Sequence, residues 1–293
     1  MVEQLPAVQI PEKGSVIGLP FEIYLSTQAI SSHAIKEILT SPAHYQASLI
    51  EERKETESFA RGGRLHKAIL EPHLYLGSCT VMPEFTGKTK DGKESNRSAE
   101  ALEKKKIWIQ EAEAKKQIIV TAEEQTQVQG MVKAIADHPF ASKLLQGGVS
   151  ELSLFWKDEK TNLPCKARLD YLRYTSTVVE YKTTKKASAR AFRNDAWKYG
   201  YAIQASNYQE AVREVFGQVP DRIVFVAQEP EPPYAVQVYL ASKRFLDLGE
   251  RARRRGLDLF ALCQETSNWP AYPNEILELD APPWAEEELE YGE

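Results

Sequence analysis

Alternating polar and apolar positions predict three consecutive β-strands in the middle of the chain. Residues 150–156 alternate in the way that a half-buried strand does. Turn-like residues at 158–162 and 173–176 separate this segment from two further predicted strands, at 164–172 and 177–183. The pattern therefore predicts a three-strand meander.

Helical signals flank the meander on both sides. Upstream, polar caps and following prolines predict helices at about 32–39, 58–71, 98–117 and 121–138. Downstream, the chain predicts helices at about 188–199, 201–216 and 242–263, and strands at 221–228 and 234–240. The predicted fold class is α/β, with a mixed central sheet, flanking helices and a helical insertion.

These elements divide the chain into three parts. Residues 1–24 contain several Pro and Gly residues without clear periodicity and predict an irregular leader. We expect a single domain over 25–265, with a helical insertion at 84–140 and the core sheet at 150–240. Residues 266–293 predict a Pro-rich acidic tail.

Composition excludes several classes of protein. Of the 293 residues 42% are hydrophobic, but no apolar run approaches the roughly 20 residues of a membrane span. The start, Met1 to Gln4, lacks the charged and apolar regions of a signal peptide, so we expect a cytoplasmic protein. Three scattered cysteines exclude a disulfide framework and a four-cysteine iron–sulphur cluster: Cys79, Cys165 and Cys263.

Net charge does not decide whether the chain binds nucleic acid. The value of −5 argues weakly against it, because proteins that coat DNA are usually basic. The charge is unevenly distributed, however. Acidic residues concentrate partly at 286–293, whereas basic clusters occur at 104–106, 185–193 and 251–255. The sequence is therefore compatible with a protein that is acidic outside and has a basic inner surface.

The third predicted strand carries an unusual charged pair. Because strand side chains alternate between faces, Glu180 and Lys182 project on the same side of an otherwise apolar segment. A hairpin with the preceding strand would bring Asp170 near Glu180. Two close carboxylates repel each other unless a cation lies between them, and oxygen ligands of this kind suit magnesium or manganese. The alternative is a surface hairpin with an exposed Glu–Lys pair, which this segment alone does not exclude.

Further motifs add to this pattern. Gly62 to His66 reads Gly-x-x-x-His on a predicted helix, and Gln204 to Tyr208 reads Gln-x-x-x-Tyr on another. With Asp170 and Glu180-Tyr181-Lys182 in this order, the chain resembles the RecB-like branch of the PD-(D/E)XK nucleases. Leu169 stands where the family name has proline, which RecB-like members commonly lack.

Additional segments resemble the RecE-like exonucleases of the exodeoxyribonuclease VIII type. They are Tyr24-Leu25-Ser26, Ser41-Pro42-Ala43-His44-Tyr45, Gly63 to Pro72, Trp269-Pro270-Ala271-Tyr272 and Pro282-Pro283-Trp284. The resemblance covers most of the chain from about residue 20, although 84–140 carries no matching motif. It implies a restriction-endonuclease-like core.

The resemblance also implies roles for individual residues. Asp170, Glu180 and the backbone carbonyl of Tyr181 would bind Mg²⁺, for which Mn²⁺ would substitute, and His66 would add a ring nitrogen. Lys182 would orient or activate the attacking water, so the implied catalytic residues are Asp170, Glu180 and Lys182. A lone helical histidine is more often structural, which is the alternative for His66.

Other residues are candidates for supporting the site or contacting DNA. Glu151 lies on the first strand of the meander as a further carboxylate, while Gln204 and Tyr208 either pack their helix on the sheet or reach the site. Charged runs are more often a solvated face, but four basic residues directly follow the active strand: Lys185, Lys186, Arg190 and Arg193. We expect Trp197, Tyr199 and Tyr201 to belong to the core.

The resemblance implies an exonuclease that digests linear double-stranded DNA from its 5′ end. It would form a homo-oligomeric ring, leave 3′ tails for a RecT-like single-strand annealing protein, and be bacterial or phage-encoded. No Gly-x-x-x-x-Gly-Lys-Ser/Thr motif occurs, so we expect no need for ATP. The alternatives are an endonuclease of the same fold, which would cut circular DNA, and a non-catalytic DNA-binding protein.

Overall fold

The predicted meander forms the middle of a six-stranded sheet. The computed structural model describes residues 9–50, 57–174 and 176–281. Its strands are β1 (Gly14–Val16), β2 (Cys79–Val81), β3 (Gly87–Lys88), β4 (Glu94–Ser95), β5 (Ile118–Val120), β6 (Gly148–Lys157), β7 (Pro164–Arg173), β8 (Thr177–Thr183), β9 (Arg222–Gln228) and β10 (Val236–Leu240). The order in the sheet is β1-β6-β7-β8-β9-β10.

Helices cover both faces of this sheet. They are α1 (Phe21–Ser26), α2 (Ser32–Thr40), α3 (Pro42–Ile50), α4 (Glu57–Leu70), α5 (Pro72–Ser78), α6 (Ala99–Ala114), α7 (Ala122–Asp137), α8 (Ala141–Leu144), α9 (Ala189–Lys198), α10 (Tyr201–Phe216) and α11 (Lys243–Thr266). The predicted α/β class, with a mixed sheet and flanking helices, is confirmed.

Strand directions follow from the lengths of the connections. Short turns join β6 to β7 and β7 to β8, and both pairs are antiparallel. β8 and β9 are parallel, which requires a long crossover, and α9 and α10 supply it. As a result, the helices that follow β8 return across the sheet beside the strand that carries Glu180 and Lys182.

Apolar side chains form a separate core on each face of the sheet. One core joins the sheet to α2, α10 and α11, and Val178 of β8 belongs to it. The other joins the sheet to α4 and α7, and it contains Val179 and Tyr181 of the same strand. β8 is therefore buried on both faces, as is usual for a central strand with a parallel neighbour.

The prediction of an irregular leader was wrong for part of residues 1–24. β1 pairs antiparallel with β6, through Gly14 opposite Phe155 and Val16 opposite Ser153, and α1 begins at Phe21. A strand of three residues is too short to show a periodic pattern in the sequence. It forms because of its long-range hydrogen bonds to β6. Residues 1–8 lie outside the described part of the chain, and the boundaries of the 25–265 domain stay a prediction.

Prolines begin two helices that the sequence analysis did not predict, α3 and α5. Ser41-Pro42 ends α2 as predicted, but Pro42 also begins α3, and Pro72 ends α4 and begins α5. Proline is favoured in the first helical turn, where its missing N–H is not needed. The 84–140 stretch contains α6 and α7, and also the β3–β4 hairpin and β5, which pairs with β2. Residues 282–293 of the predicted tail lie outside the described residues.

Among the described residues, no helix is both long and apolar enough to cross a membrane.

A buried ion pair anchors α11 to the turn after β6. Asp158 is 1% exposed, accepts two hydrogen bonds from Arg254 at 2.5 and 2.8 Å, and accepts two more from Thr161. Burial alone would raise the pKa of Asp158, but the hydrogen bonds from Arg254 and Thr161 outweigh it and hold that pKa well below its usual 3.8. The folded chain therefore stabilises the ionised form.

Replacing Asp158 with asparagine is expected to lower the free energy of unfolding by about 3 kcal/mol at pH 7, because it removes the buried and closer of the two carboxylates that pair with Arg254. Urea denaturation would measure this change, with exposed Glu159→Gln as the matched control. Because the pKa is depressed, this stabilisation is present above about pH 4 and is lost as the pH falls further. A difference from wild type below 1 kcal/mol at pH 7 would contradict the assignment.

Candidate active site

Three carboxylates lie in a row across β6, β7 and β8. β6 pairs with β7 through Ser150 opposite Tyr171 and Leu152 opposite Leu169, so Glu151 and Asp170 face each other between these two pairs. One residue beyond the pair formed by Tyr171 and Val179, Asp170 lies opposite Glu180 on β8. The register thus brings Asp170 and Glu180 together as predicted, and it adds Glu151 on the far side of Asp170.

Glu151 adopts a backbone conformation that is unusual for a strand. Its φ is +50°, in the left-handed region that costs a residue other than glycine roughly 1–3 kcal/mol. The side chain is held from both sides: Oε2 accepts a hydrogen bond from Nε of Arg168 at 2.6 Å, and Oε1 lies 3.7 Å from Nδ1 of His66. Strain of this kind concentrates at functional sites.

His66 reaches the row from α4. Its Nε2 lies 2.9 Å from the carbonyl oxygen of Tyr181 and 3.4 Å from Oδ2 of Asp170. Burial on its own lowers the pKa of His66, but the charge of Asp170 and the hydrogen bond to Glu151 outweigh this effect and raise the pKa to about 9. The ring of His66 therefore lies between the outer carboxylate, Glu151, and the central one, Asp170.

Glu180 is almost completely buried and lies two residues before Lys182 on β8. Its Oε1 accepts hydrogen bonds from Nζ of Lys182 at 2.5 Å and from Nε2 of Gln204 at 2.7 Å. Gln204 also donates to the hydroxyl of Tyr208, which donates in turn to the carbonyl oxygen of Arg168. Among the described residues, the buried Oε2 of Glu180 has no hydrogen-bond partner.

The charged groups of the row shift the pKa values of one another. Burial and the neighbouring Glu180 raise the pKa of Asp170 to about 7, although His66 and Lys182 oppose the shift. Burial lowers the pKa of Lys182, but the charges of Glu180 and Asp170 outweigh burial and raise that pKa above its usual value. Lys182 is therefore held as a cation next to the carboxylates.

The donor atoms fit a divalent metal ion. One ligand atom from each of His66, Glu151 and Asp170 lies within 4.8 Å of the others. The carbonyl oxygen of Tyr181, 2.9 Å from Nε2 of His66, is a further oxygen donor beside this group, and Glu180 is close enough for its charge to act on Asp170. Oxygen donors suit Mg²⁺ and Mn²⁺, and an imidazole nitrogen is a common ligand for transition metals. Of the expected ligands, His66 and Asp170 therefore lie together, with Glu151 as the third, while the ligand roles of Glu180 and Tyr181 stay predictions.

The basic residues after β8 are exposed and lie outside the row of carboxylates. They are Lys185, Lys186, Arg190 and Arg193, and their contact with DNA stays a prediction. The expectation that Trp197 and Tyr199 belong to the core was wrong, because they are 60% and 47% exposed. Tyr201 packs against the core as expected.

Arg168 is a site residue that the sequence analysis did not single out. Its guanidinium donates to Glu151 and to the carbonyl oxygen of Leu19, and its own carbonyl accepts from Tyr208. Its position two residues before Asp170 on one strand was the available signal, because such residues share a face. Arg168 therefore contacts Glu151 directly and is linked to Glu180 through the hydrogen bonds of Tyr208 and Gln204.

Replacing Gln204 with alanine is expected to weaken Mn²⁺ binding roughly 10- to 100-fold, because Gln204 orients the carboxylate of Glu180. Isothermal titration calorimetry would measure the change. The half-buried Gln209 on the same helix provides the matched control, Gln209→Ala. Equal affinities of Gln204→Ala and wild type would show that Gln204 only packs α10 on the sheet.

Comparisons with known proteins show the family and the fold of the chain. Residues 31–280 match the sequence model of a PDDEXK-like domain of unknown function (DUF3799). No curated protein matches the sequence of the chain. The chain is similar in structure to a crystal structure named as a "putative exonuclease" from Eubacterium rectale, with a TM-score of 0.57 and 12% sequence identity, covering 92% of this chain and 98% of that one. At this identity the likeness shows a shared fold.

Proposed function

Since the chain belongs to the family of PDDEXK-like domains, we propose that it is a metal-dependent nuclease whose centre is the carboxylate row of Glu151, Asp170 and Glu180. The predicted PD-(D/E)XK superfamily and its restriction-endonuclease-like core are thereby confirmed. The narrower RecE-like resemblance stays a prediction. The observation that carries the proposal is the group of ligand atoms from His66, Glu151 and Asp170 within 4.8 Å of one another, with the ion pair of Lys182 and Glu180 close enough to act on Asp170.

Each side chain has a task in phosphodiester hydrolysis. Asp170, Glu180, His66 and the carbonyl of Tyr181 would hold the metal ion, with Glu151 next to them. A divalent ion held by these residues would supply positive charge to the phosphate and would favour ionisation of the attacking water. Lys182, held protonated by Glu180, faces the phosphate with a positive charge and orients the attacking water. The water loses one proton to the solvent as its oxygen bonds to phosphorus, the bond to the leaving oxygen breaks, and the leaving oxygen takes up one proton from the solvent.

The positioning residues keep this arrangement rigid. Gln204 and Lys182 hold one oxygen of Glu180 and leave the other available. The backbone N–H of Tyr181 donates to Oδ2 of Asp170 at 2.8 Å. Arg168 compensates the charge of Glu151, the third carboxylate, at 2.6 Å. Pre-organised groups of this kind stabilise charge without having to reorganise during the reaction.

We further propose an Mg²⁺-dependent, ATP-independent exodeoxyribonuclease that digests linear duplex DNA from the 5′ end. The RecE-like motifs support this proposal, and so does the exonuclease name of the Eubacterium rectale protein. The same motifs support a cytoplasmic homo-oligomeric ring that passes 3′ tails to a single-strand annealing protein. A ring with a basic lining would allow a chain of net charge −5 to bind phosphates.

Incubation with linear and covalently closed circular duplex DNA tests the exonuclease proposal. Separate labels on the 5′ and 3′ ends of the linear substrate report the direction of digestion. We expect Mg²⁺-dependent loss of the linear DNA from its 5′ end without added ATP, while the circle stays intact. Cutting of the circle would identify an endonuclease, and binding without cleavage of either substrate would identify a DNA-binding protein.

A further inference from the structure

Two large aromatic side chains are exposed at the end of α9. Trp197 is 60% exposed and Tyr199, directly after the helix, is 47% exposed. The same helix buries Phe192 and Ala196 against the sheet, so its inward face is already covered. Single exposed aromatic residues are common on protein surfaces. Trp197 and Tyr199 differ from such single residues because they lie two positions apart in the sequence.

The segment of the chain that carries these rings is strongly basic. The segment 185–198 carries five cationic side chains, Lys185, Lys186, Arg190, Arg193 and Lys198, and one acidic residue, Asp195. Asp195 accepts a hydrogen bond from the hydroxyl of Thr184, and Nζ of Lys198 lies 5.6 Å from the ring centre of Tyr199. Aromatic rings among cations match a ligand that combines flat bases with phosphates.

A chain of contacts connects the exposed rings to the proposed active site. The rings of Tyr199 and Tyr201 lie 6.1 Å apart, and Nζ of Lys182 lies 4.7 Å from the ring centre of Tyr201. Gly200, with a φ of +71°, makes the turn between α9 and α10 that separates the two tyrosines. A ligand on Tyr199 would therefore be one aromatic ring away from Lys182.

We propose that Trp197 and Tyr199 form a stacking platform for single-stranded DNA beside the active site; this inference rests on the proposed nuclease function. A single strand offers unpaired base faces for stacking, whereas a duplex keeps its faces paired and stacked internally. Lysines and arginines of 185–198 bind the phosphates of the same strand. Stacking tolerates any sequence, as a nuclease without sequence preference requires.

Binding of fluorescein-labelled oligothymidylate in EDTA tests the platform without cleavage. In the double variant Trp197→Ala/Tyr199→Ala we expect roughly tenfold or greater loss of affinity for the oligonucleotide, because each stacked base contributes separately. Affinity for a blunt duplex of equal length should fall by less than about threefold, because phosphate contacts dominate there. Trp197→Phe/Tyr199→Phe should retain most of the single-strand affinity, since phenylalanine also stacks.

The matched control is Tyr272→Ala, since Tyr272 is 66% exposed but lies against His44, outside the basic segment. An unchanged affinity of the double alanine variant, or an equal loss for single strand and duplex, would overturn the platform. The proposed function is measured separately, by cleavage in Mg²⁺. Ring-dependent binding in EDTA by a protein that cleaves nothing would support the platform and contradict the nuclease.

Discussion

Replacing Asp170 with asparagine is expected to lower the rate of DNA cleavage roughly 10³-fold or more and to abolish measurable Mn²⁺ binding. Asp170 is the central carboxylate of the row and lies 3.4 Å from the His66 ring nitrogen. Losing a metal ion removes several kcal/mol of transition-state stabilisation, and about 4 kcal/mol corresponds to roughly 10³ in rate. A cleavage assay and calorimetric titration with Mn²⁺ would measure the two effects.

The folded state should survive this change. Asparagine keeps the shape of the side chain and can still accept the hydrogen bond from the Tyr181 N–H. Because burial and Glu180 raise the pKa of Asp170 to about 7, folding stability from this carboxyl falls as the pH rises from about 4 to 7. We therefore expect the melting temperature in EDTA at pH 8 to be no lower than that of wild type.

An exposed aspartate provides the control for Asp170→Asn. Asp137 pairs with Lys133 on the surface of α7, so Asp137→Asn should leave cleavage and Mn²⁺ binding unchanged. Cleavage by Asp170→Asn within tenfold of wild type would remove Asp170 from the catalytic set. Loss of folded structure in this variant, shown by circular dichroism, would instead contradict the expectation that the site is separable from the fold.

Replacing Lys182 with alanine is expected to lower the cleavage rate roughly 10²- to 10³-fold while metal binding persists. Glu180 and Asp170 keep Lys182 protonated, so its contribution is a positive charge placed at the reacting phosphate. None of the proposed metal ligands is removed by this substitution. The combination of lost cleavage and retained Mn²⁺ affinity distinguishes Lys182→Ala from Asp170→Asn.

The control for Lys182 is Lys243, which forms an exposed ion pair with Asp247 at the start of α11. Lys243→Ala should cleave DNA at the wild-type rate. Near-wild-type cleavage by Lys182→Ala would show that its contact with Glu180 is structural. If Lys182→Ala lost both Mn²⁺ binding and cleavage, Lys182 would be a residue that stabilises the metal site. That result would contradict its proposed role at the phosphate.

Local patterns were sufficient to predict the centre of the fold. Alternation over 150–183 predicted the meander, and the two-residue spacing of Glu180 and Lys182 placed both on one face, where they now form an ion pair. A hairpin of the second and third strands was predicted to bring Asp170 near Glu180, and β7 and β8 pair up to Tyr171 opposite Val179, one residue away from Asp170 and Glu180. These features depend on neighbouring residues and short turns, which sequence periodicity records.

Features that depend on long-range contacts could not be predicted in the same way. β1 exists because distant β6 pairs with it, and the strained backbone of Glu151 is invisible in an alternating pattern. The exposure of Trp197 and Tyr199 depends on how α9 rotates on the sheet, and apolar composition favoured burial instead. The contact between Gln204 and Glu180 required the crossover that returns α10 beside β8.

Metal-dependent cleavage of linear duplex DNA tests the central claim most directly. Wild-type protein and Asp170→Asn would be assayed side by side in EDTA and then after addition of excess Mg²⁺. The carboxylate row predicts cleavage by the wild-type protein alone, and only after Mg²⁺ is added. Cleavage in EDTA, equal cleavage by Asp170→Asn, or no cleavage by wild type under any of these conditions would contradict a metal-dependent nuclease centred on Asp170.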